Sequence, residues 1–348
     1  MVSPVERIKA VVYGVGAMNT IVTRMLLDKD VDIVGAISRS ESKVGRDLGD
    51  LTELGRQLGV VVNDDAGEVF RQTRPDIAVI AVNSYMADAV AQLRICAEHG
   101  VNAVTISEEA LFPWQTSPEI TAELDRIAKS TGATLTGTGH QDTYWVNMVA
   151  MLMGTAHHIS SVTGRASWNV DDYGPEVAGD QQVGSTTGQF EEWLRGSQRP
   201  PTFGRNVLDA LVADTGLTVK SQTTSTRPDL ATEPVFSQSL QKQIRAGDVI
   251  GFTDVDEIQT EEGPVFTFEM SGRVYGPDDG DINEWAIEGE PNLVLSNGTV
   301  PTQVTTCTQM VNRIPDVIAA PAGFVTAEKL PRLRYRAFPL HTYLGGDR

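Results

Sequence analysis

Two patterns of hydrophobic and polar residues divide the chain near residue 150. Before that point, short apolar runs alternate with segments in which apolar residues recur at helical spacing. The run Ile8–Tyr13 predicts a buried strand. The segment after it predicts one apolar face of a helix, formed by Met18, Ile21, Val22, Met25 and Leu26. Alternation of this kind is typical of a parallel sheet whose strands are joined by helices.

Further apolar runs extend this pattern. They predict strands over residues 31–37, 60–62, 76–82, 101–107 and 133–137, and helices over 86–99 and 118–131. A ligand of such a sheet lies beyond the carboxyl ends of the strands, so the residues that follow each strand are candidates for chemistry.

After residue 150, apolar and polar residues alternate one by one, which is the period of half-buried strands. This alternation predicts strands over residues 159–170, 254–260 and 265–275. Other segments of this half predict helices over 189–194, 205–214 and about 302–318. We therefore predict an α/β protein with an N-terminal Rossmann dinucleotide-binding domain over residues 1–148. Residues 149–348 are expected to form a C-terminal α+β domain with an open mixed sheet, for substrate binding and oligomerisation. The last helix is a candidate to pack back on the first domain.

The charge of the chain narrows the classes of function. Its 46 acidic and 28 basic residues give a net charge of −18, which argues against binding to nucleic acid or to an anionic membrane.

Cys96 and Cys307 lie far apart and no histidine cluster accompanies them, so we expect neither a disulfide nor a metal site. Because no apolar signal segment and no long apolar run is present, we expect a cytoplasmic protein.

The turn after the first predicted strand reads Gly14-Val15-Gly16-Ala17-Met18-Asn19, close to the dinucleotide fingerprint G-x-G-x-x-G/A. We expect these six residues to receive a pyrophosphate at the start of the helix. Asn19 stands where the fingerprint has its third small residue. A glycine turn in an unrelated α/β domain is the alternative interpretation.

The end of the second predicted strand indicates which dinucleotide binds. Ser38-Arg39-Ser40 stands where an NAD enzyme would carry an acidic residue for the ribose hydroxyls. Arg39 can bind a 2′-phosphate through two hydrogen bonds, and Lys43 lies close by in the sequence. We therefore predict NADP(H) as the preferred cofactor, with NAD(H) also accepted.

Polar residues follow two further strands. Asn83 and Ser84 are placed to hydrogen-bond ribose or the nicotinamide amide, or only to cap the next helix. Glu108 and Glu109 follow strand 101–107, and one of them is expected to face the cleft. A solvated helix start is the alternative for this acidic pair.

Ring side chains mark the remaining candidates for the substrate pocket. His140 is a candidate acid or base, or a structural histidine, and Asp142 is a candidate helix cap. Tyr144 and Trp145 are expected to close one side of a small pocket. In the second half of the chain, Arg165 is expected either to bind a substrate carboxylate or to form a structural ion pair, and Trp168 favours an apolar pocket.

Several motifs together resemble the dihydrodipicolinate-reductase-like superfamily. They are Gly14-Val15-Gly16, Ile106–Glu109, Gly137–Gly139, Val311–Ile318 and Ala320–Gly323, and the Asn-Arg-Ile-Pro stretch inside the fourth is the most specific. Within the superfamily the chain is most similar to the 2,4-diaminopentanoate dehydrogenase group, which includes native NAD(P)-dependent amine dehydrogenases. The His-His-x-x-x-Lys signature of true dihydrodipicolinate reductases is absent from the sequence.

This resemblance implies roles for particular residues. It implies that Glu108 is the catalytic residue and that Tyr144 and Trp145 line the carbonyl pocket. It also implies a hydroxyl from a threonine of the segment around Thr305-Thr306, with Thr305 as the candidate. Independently, a carboxylate in a dry pocket would stabilise a cationic iminium, and burial would raise its pKa toward neutrality.

The resulting hypothesis is an NAD(P)H-dependent reductive amination of small aliphatic aldehydes or ketones with ammonia, together with the reverse oxidative deamination. The alternatives are 2,4-diaminopentanoate dehydrogenase or a related imine reductase, and a non-catalytic dinucleotide sensor. Because the second-half sheet would leave one face open, we also expect a homodimer.

Overall fold

The computed structural model describes residues 6–196, 199–298 and 300–344. The strands in chain order are β1 (Lys9–Tyr13), β2 (Asp32–Ile37), β3 (Val62–Asn63), β4 (Ile77–Ile80), β5 (Asn102–Thr105), β6 (Thr134–Gly137), β7 (His158–Asn169), β8 (Val219–Leu230), β9 (Val235–Ser237), β10 (Lys242–Ile244), β11 (Val249–Thr260), β12 (Val265–Arg273), β13 (Ile282–Glu290), β14 (Leu293–Asn297) and β15 (Gly323–Phe324). The α-helices are α1 (Ala17–Asp28), α2 (Leu48–Leu51), α3 (Ala66–Thr73), α4 (Met86–Glu98), α5 (Pro118–Thr131), α6 (Met148–Met153), α7 (Pro175–Asp180), α8 (Thr187–Gly196), α9 (Phe203–Thr215) and α10 (Thr302–Ala319).

The described residues divide into two compact units. The first consists of residues 6–147 together with 301–344, and the second of the described residues between 148 and 300. The sequence-based division placed all of 149–348 in a second domain, so the carboxyl-terminal segment is assigned differently. Helix α10 explains the difference, because Cys307, Met310 and Ile314 on its apolar face join the same buried cluster as Val22 and Leu26 of α1. Hydrophobic periodicity reveals that a helix has an apolar face, and it does not reveal which unit that face packs against.

The first unit is built on a parallel sheet of seven strands in the order β15-β6-β5-β4-β1-β2-β3. Strands β1 to β6 follow the 3-2-1-4-5-6 order of the Rossmann fold. Because helices cover both faces, the central strands are mostly apolar: Ala10, Val11 and Val12 of β1 are fully buried. All seven strands are parallel, but the order in which the chain adds them reverses between β1 and β4. A doubly wound sheet binds its ligand at such a point.

Two central strands of this sheet end earlier than their apolar runs predict. The runs 76–82 and 101–107 contain β4 and β5, which end at Ile80 and Thr105. Each strand is followed by a short connection at the carboxyl edge of the sheet, and the one after β5 leads into a 3-10 helix over Glu108–Leu111. These connections carry Ser84 and Glu108, so the shorter strands place both side chains at the ligand-binding edge.

The second unit contains a six-stranded mixed sheet in the order β14-β13-β7-β12-β11-β8. Strands β7 and β12 are parallel, and the other neighbours are antiparallel. The segments 254–260 and 265–275, both predicted as strands, lie in β11 and β12, which pair as an antiparallel hairpin. Phe268 and Trp285 stack on the buried face at 5.0 Å between ring centroids, directly over Gly164.

Candidate active site

The glycine turn after β1 has an open surface where a phosphate could approach. Gly14 has φ +87°, and a Cβ there would lie 2.5 Å from Val82 Cγ1, so the turn requires glycine. A Cβ on Gly16, by contrast, would meet nothing within 4 Å. Gly16 precedes α1, a helix of 12 residues with no acidic residue in its first turn. These features fit a pyrophosphate at a helix N-terminus.

Asn19 is part of the support of this turn and not of its surface. It is fully buried, and its Nδ2 donates to the carbonyls of Tyr13 at 3.0 Å and Gly14 at 2.6 Å. It also reaches the Val79 carbonyl at 3.4 Å. The sequence-based placement of Asn19 among the cofactor contacts is therefore corrected. A side-chain amide here holds strand and turn together where the usual third small residue would only leave room.

The other fingerprint residues differ in exposure. Val15 is buried, Met18 is half-buried, and Gly16 and Ala17 are exposed. The carbonyl of Val15 accepts a hydrogen bond of 2.5 Å from Lys43 Nζ. Lys43 thus braces the turn, in addition to being one of the few cations near it.

The end of β2 presents Arg39 to solvent. Ser38 is buried and its Oγ accepts from the Ser40 amide at 3.2 Å, which tightens the turn, while Arg39 and Ser40 are exposed. Burial raises the pKa of the Tyr13 phenol, and the nearby Arg39 guanidinium opposes that rise. Among the described residues, no carboxylate lies within 4 Å of Arg39, which leaves its guanidinium available to an anion.

The turn after β4 is linked to the turn after β5. Asn83 is exposed and donates to the Asp88 carbonyl at 3.0 Å in the first turn of α4. The Ser84 hydroxyl hydrogen-bonds the Glu108 carboxylate, and its carbonyl accepts from the Glu109 amide at 3.0 Å. Ser84 therefore faces the acidic pair, a contact that the sequence pattern did not predict.

The two adjacent glutamates have different environments. Glu109 is 2% exposed; its carboxylate accepts from the Met86 amide at 2.7 Å and from Ser117 Oγ at 2.6 Å. It thereby caps α4. Glu108 is half-buried, and burial raises the pKa of its carboxyl from 4.5 to about 7, against the opposing hydrogen bond from Ser84. A carboxyl that titrates near neutrality at a strand end is a candidate for acid–base and electrostatic chemistry.

Three rings cluster in the loop after β6. A π-helix over Asp142–Asn147 presents Tyr144 and Trp145. The His140 ring stacks on Tyr144 at 4.6 Å and meets Trp145 edge-on at 5.3 Å. Burial lowers the pKa of His140 to about 4, so its imidazole is neutral at neutral pH. His140 is thus an element of an aromatic wall, and its pKa is poorly matched to general acid catalysis near pH 7.

Asp142 does not act as a helix cap. It is fully buried and forms a bidentate ion pair with the equally buried Arg313, at 2.7 and 2.8 Å. Sequence reasoning missed this pair. The available signal was the Asn-Arg-Ile-Pro stretch, where a lone arginine sits among apolar residues of a helix.

The threonine that contacts this loop is Thr306 and not Thr305. Thr306 Oγ1 accepts from the His140 amide at 3.1 Å. Thr305 Oγ1 donates to carbonyls in its own first turn, at Pro301 and Thr302. The two side chains point differently because adjacent residues of a helix are turned by about 100°, and the threonine hydroxyl expected from this segment for the pocket stays a prediction.

Arg165 and Trp168 belong to the second unit and have partners inside it. Arg165 is exposed and pairs with Glu284 of β13 at 2.9 Å, which is the structural alternative of the sequence analysis. Trp168 packs over Gly272 and meets Tyr173 edge-on at 5.1 Å.

Among the residues described, no group of three histidine, cysteine or acidic side chains could hold a metal. Within those same ranges, no helix combines the length and apolarity needed to cross a bilayer.

Comparison with known proteins connects these features to a family. The family model for the 2,4-diaminopentanoate dehydrogenase C-terminal domain matches residues 145–337, more than half of the chain. The model for the N-terminus of dihydrodipicolinate reductase matches residues 8–107.

Individual relatives cover almost the whole chain. The structure of an amine dehydrogenase from Mycobacterium smegmatis is 75% identical, with a TM-score of 0.88 over 96% of this chain and 98% of that one. A 2,4-diaminopentanoate dehydrogenase from Acetoanaerobium sticklandii is 27% identical over 94% of each chain. GenD2 from gentamicin A biosynthesis, solved in complex with NAD, is 15% identical with a TM-score of 0.55, covering 90% of this chain and 87% of that one, and shows the fold alone. The chain therefore belongs to the 2,4-diaminopentanoate dehydrogenase family.

Proposed function

We propose that this chain catalyses the reductive amination of small aliphatic aldehydes and ketones with ammonia, and the reverse oxidative deamination, with Glu108 as its catalytic residue and NADP(H) as its preferred cofactor. As a member of its family it is an NAD(P)-dependent oxidoreductase that acts on CH–NH2 groups. The observation that carries the proposal is the half-buried Glu108 carboxyl at the end of β5, with a pKa of about 7.

The residues of the first unit fit a dinucleotide. The open surface at Gly16 and the N-terminus of α1 would hold the pyrophosphate, and the exposed Arg39 would pair with a 2′-phosphate. Lys43, braced against the Val15 carbonyl, adds a positive charge to the same turn. Bound NADPH would supply the hydride. The absence of an acidic residue at the end of β2 removes the usual repulsion of a 2′-phosphate.

Glu108 would act on the charge that develops at the carbonyl carbon. Ammonia adds to the carbonyl, water leaves, and the resulting iminium carries one positive charge until it accepts a hydride and becomes the amine. One carbonyl, one ammonia, one hydride and one proton thus give one amine and one water. The Glu108 anion would stabilise the iminium, and its near-neutral pKa would let it pass protons between ammonia, the departing hydroxyl and solvent.

The aromatic residues support a small apolar substrate. The neutral His140 ring, Tyr144 and Trp145 form a wall without charge. Arg165, the candidate for a substrate carboxylate, is already paired with Glu284 on an exposed sheet face. Both observations favour simple aldehydes and ketones over an amino acid such as 2,4-diaminopentanoate, which remains the alternative because of the family relationship.

A substrate panel tests this proposal. The protein is incubated with NADPH and ammonium against short aldehydes and ketones, and separately with NADP⁺ and 2,4-diaminopentanoate, while absorbance of the reduced cofactor is followed. We expect ammonium-dependent consumption of NADPH with short carbonyls. Faster turnover of diaminopentanoate would favour the alternative, and cofactor binding without turnover of any substrate would favour a sensor.

A further inference from the structure

We propose that Thr306, Gln309 and Arg313 form a positioning stripe on α10 that sets the shape of the substrate pocket by holding the 138–147 loop. None of the three is proposed to touch the reacting atoms. The identity of the substrate rests on the proposed function, whereas the contacts between α10 and the loop are independent of it.

The three side chains are spaced by three and four residues, so they lie on one face of α10. Each contacts a different point of the loop. The His140 amide donates to Thr306 Oγ1 at 3.1 Å, and the Thr143 amide donates to Gln309 Oε1 at 3.2 Å. The Arg313 guanidinium pairs with Asp142 at 2.7 and 2.8 Å. The stripe thus contacts the loop at three residues, His140, Asp142 and Thr143.

Asp142, the partner of Arg313, also joins the two ends of the loop. Besides Arg313, its carboxylate accepts from Thr138 Oγ1 at 2.7 Å and from Asn147 Nδ2 at 2.6 Å. Thr138 and Asn147 lie at the two ends of the loop, and both ion-pair partners are fully buried. A buried pair of this kind contributes little net stability compared with apolar packing, but its fork geometry fixes orientation.

The rings of the proposed pocket lie between these anchors. His140, Tyr144 and Trp145 follow or flank the residues that α10 holds, and the segment 142–147 is a π-helix. A π-helix is rare and is held in place by its surroundings. Loss of an anchor would therefore shift the ring cluster before it disrupted the sheet.

A second ion pair on α10 provides a matched control. Arg336 donates to Asp316 at 2.6 Å, and both side chains are mostly buried. This pair holds the carboxyl-terminal segment on α10, and none of its described hydrogen bonds reaches the 138–147 loop. Arg336→Lys thus perturbs a buried arginine of the carboxyl-terminal segment, paired with Asp316 of α10, without removing a loop contact.

The test compares Arg313→Lys and Gln309→Leu with Arg336→Lys and the native protein. Gln309→Leu keeps the volume of the side chain and removes only the acceptor for the Thr143 amide, so it remains informative if Arg313→Lys does not fold. Amide hydrogen exchange of residues 138–147 is measured, together with KM and kcat for the carbonyl that the native protein turns over best. The dissociation constant of NADPH is measured by fluorescence titration.

We expect faster exchange across 138–147 and a KM for the carbonyl raised about tenfold in both stripe variants, with the NADPH dissociation constant unchanged. Arg336→Lys should leave both quantities at their native values. Unchanged exchange in the loop, or a KM within about twofold of native in both stripe variants, would overturn the proposal. If the native protein turns over no carbonyl, the proposed function fails, and hydrogen exchange alone decides whether the stripe holds the loop.

Discussion

The Glu108 carboxyl should make the rate of the reaction depend on pH. Burial raises the pKa of Glu108 to about 7, so below that pH the group is neutral and above it anionic. Because the anion is the form that stabilises an iminium, kcat/KM for reductive amination should rise with pH through about 7. The measurement is a pH profile at constant free ammonia. A profile that is flat between pH 6 and 8, or that falls, would contradict the role of the anion.

The hydrogen bond from Ser84 to Glu108 should tune that profile. This bond favours the charged carboxylate and therefore opposes the effect of burial on the pKa. Ser84→Ala removes the donor, so the rising limb of the profile should move to higher pH. Ser130→Ala, at an exposed serine of α5, is the matched control and should leave the limb in place. A limb that does not move in Ser84→Ala would show that the bond has no influence on catalysis.

Cofactor preference should depend on Arg39. Loss of a charge-assisted hydrogen bond to a phosphate typically costs about 1.5–3 kcal/mol. Arg39→Ala should therefore weaken NADPH by about tenfold or more and leave NADH nearly unchanged. Fluorescence titration with both cofactors measures this, with the exposed Arg24→Ala on α1 as control. Equal weakening of the two cofactors would remove the assignment of Arg39 to the 2′-phosphate.

At the scale of elements, the glycine turn is held by the strands beneath it through Asn19. The Asn19 amide donates to carbonyls of β1, of the turn and of β4. Asn19→Ala leaves these buried acceptors without that donor and should lower the free energy of unfolding by about 2 kcal/mol in urea denaturation. Thr20→Ala removes only a bond to the Gly16 carbonyl within α1 and should change stability by about 0.5 kcal/mol or less. Equal effects of the two substitutions would contradict the structural role of Asn19.

Features that are determined by neighbouring residues could be predicted from the sequence, and features that depend on distant residues could not. The strands of the parallel sheet could be predicted because burial on both faces requires continuous apolar runs, as in β1 and β4. The pattern of apolar and polar residues left the choice between Glu108 and Glu109 open, and only the family resemblance indicated Glu108. The choice depends on the backbone after β5, which places one carboxylate toward Ser84 and the other beneath α4. The Asp142–Arg313 pair joins residues 171 positions apart, and no periodicity carries that information.

At the scale of the whole molecule, we propose a homodimer formed through the sheet of the second unit. Its outward face carries two cross-strand ion pairs, Arg165 with Glu284 and Arg227 with Glu269. Val294 on the edge strand is 68% exposed, and Ala286 beside it is also exposed. A sheet face that combines paired charges with exposed apolar side chains is suited to a second copy of itself.

This proposal predicts a change of mass in solution. Light scattering during gel filtration should give twice the mass of the chain, and Ala286→Arg should convert the protein to one copy by placing a charge in the interface. Gln72→Arg, at an exposed position of α3, should leave the dimer intact. A native protein that elutes as a monomer would remove the proposal.

The most direct test of the account as a whole is single-turnover hydride transfer in Glu108→Gln, with the wild-type protein beside it. NADPH is bound first and its dissociation constant measured, and ammonium with a short aldehyde is then mixed in while the absorbance of the reduced cofactor is recorded. We predict unchanged NADPH binding and loss of the oxidation step by about a hundredfold or more, because the iminium loses its counter-charge. Oxidation at the wild-type rate with Glu108 replaced would contradict the assignment of catalysis to this residue.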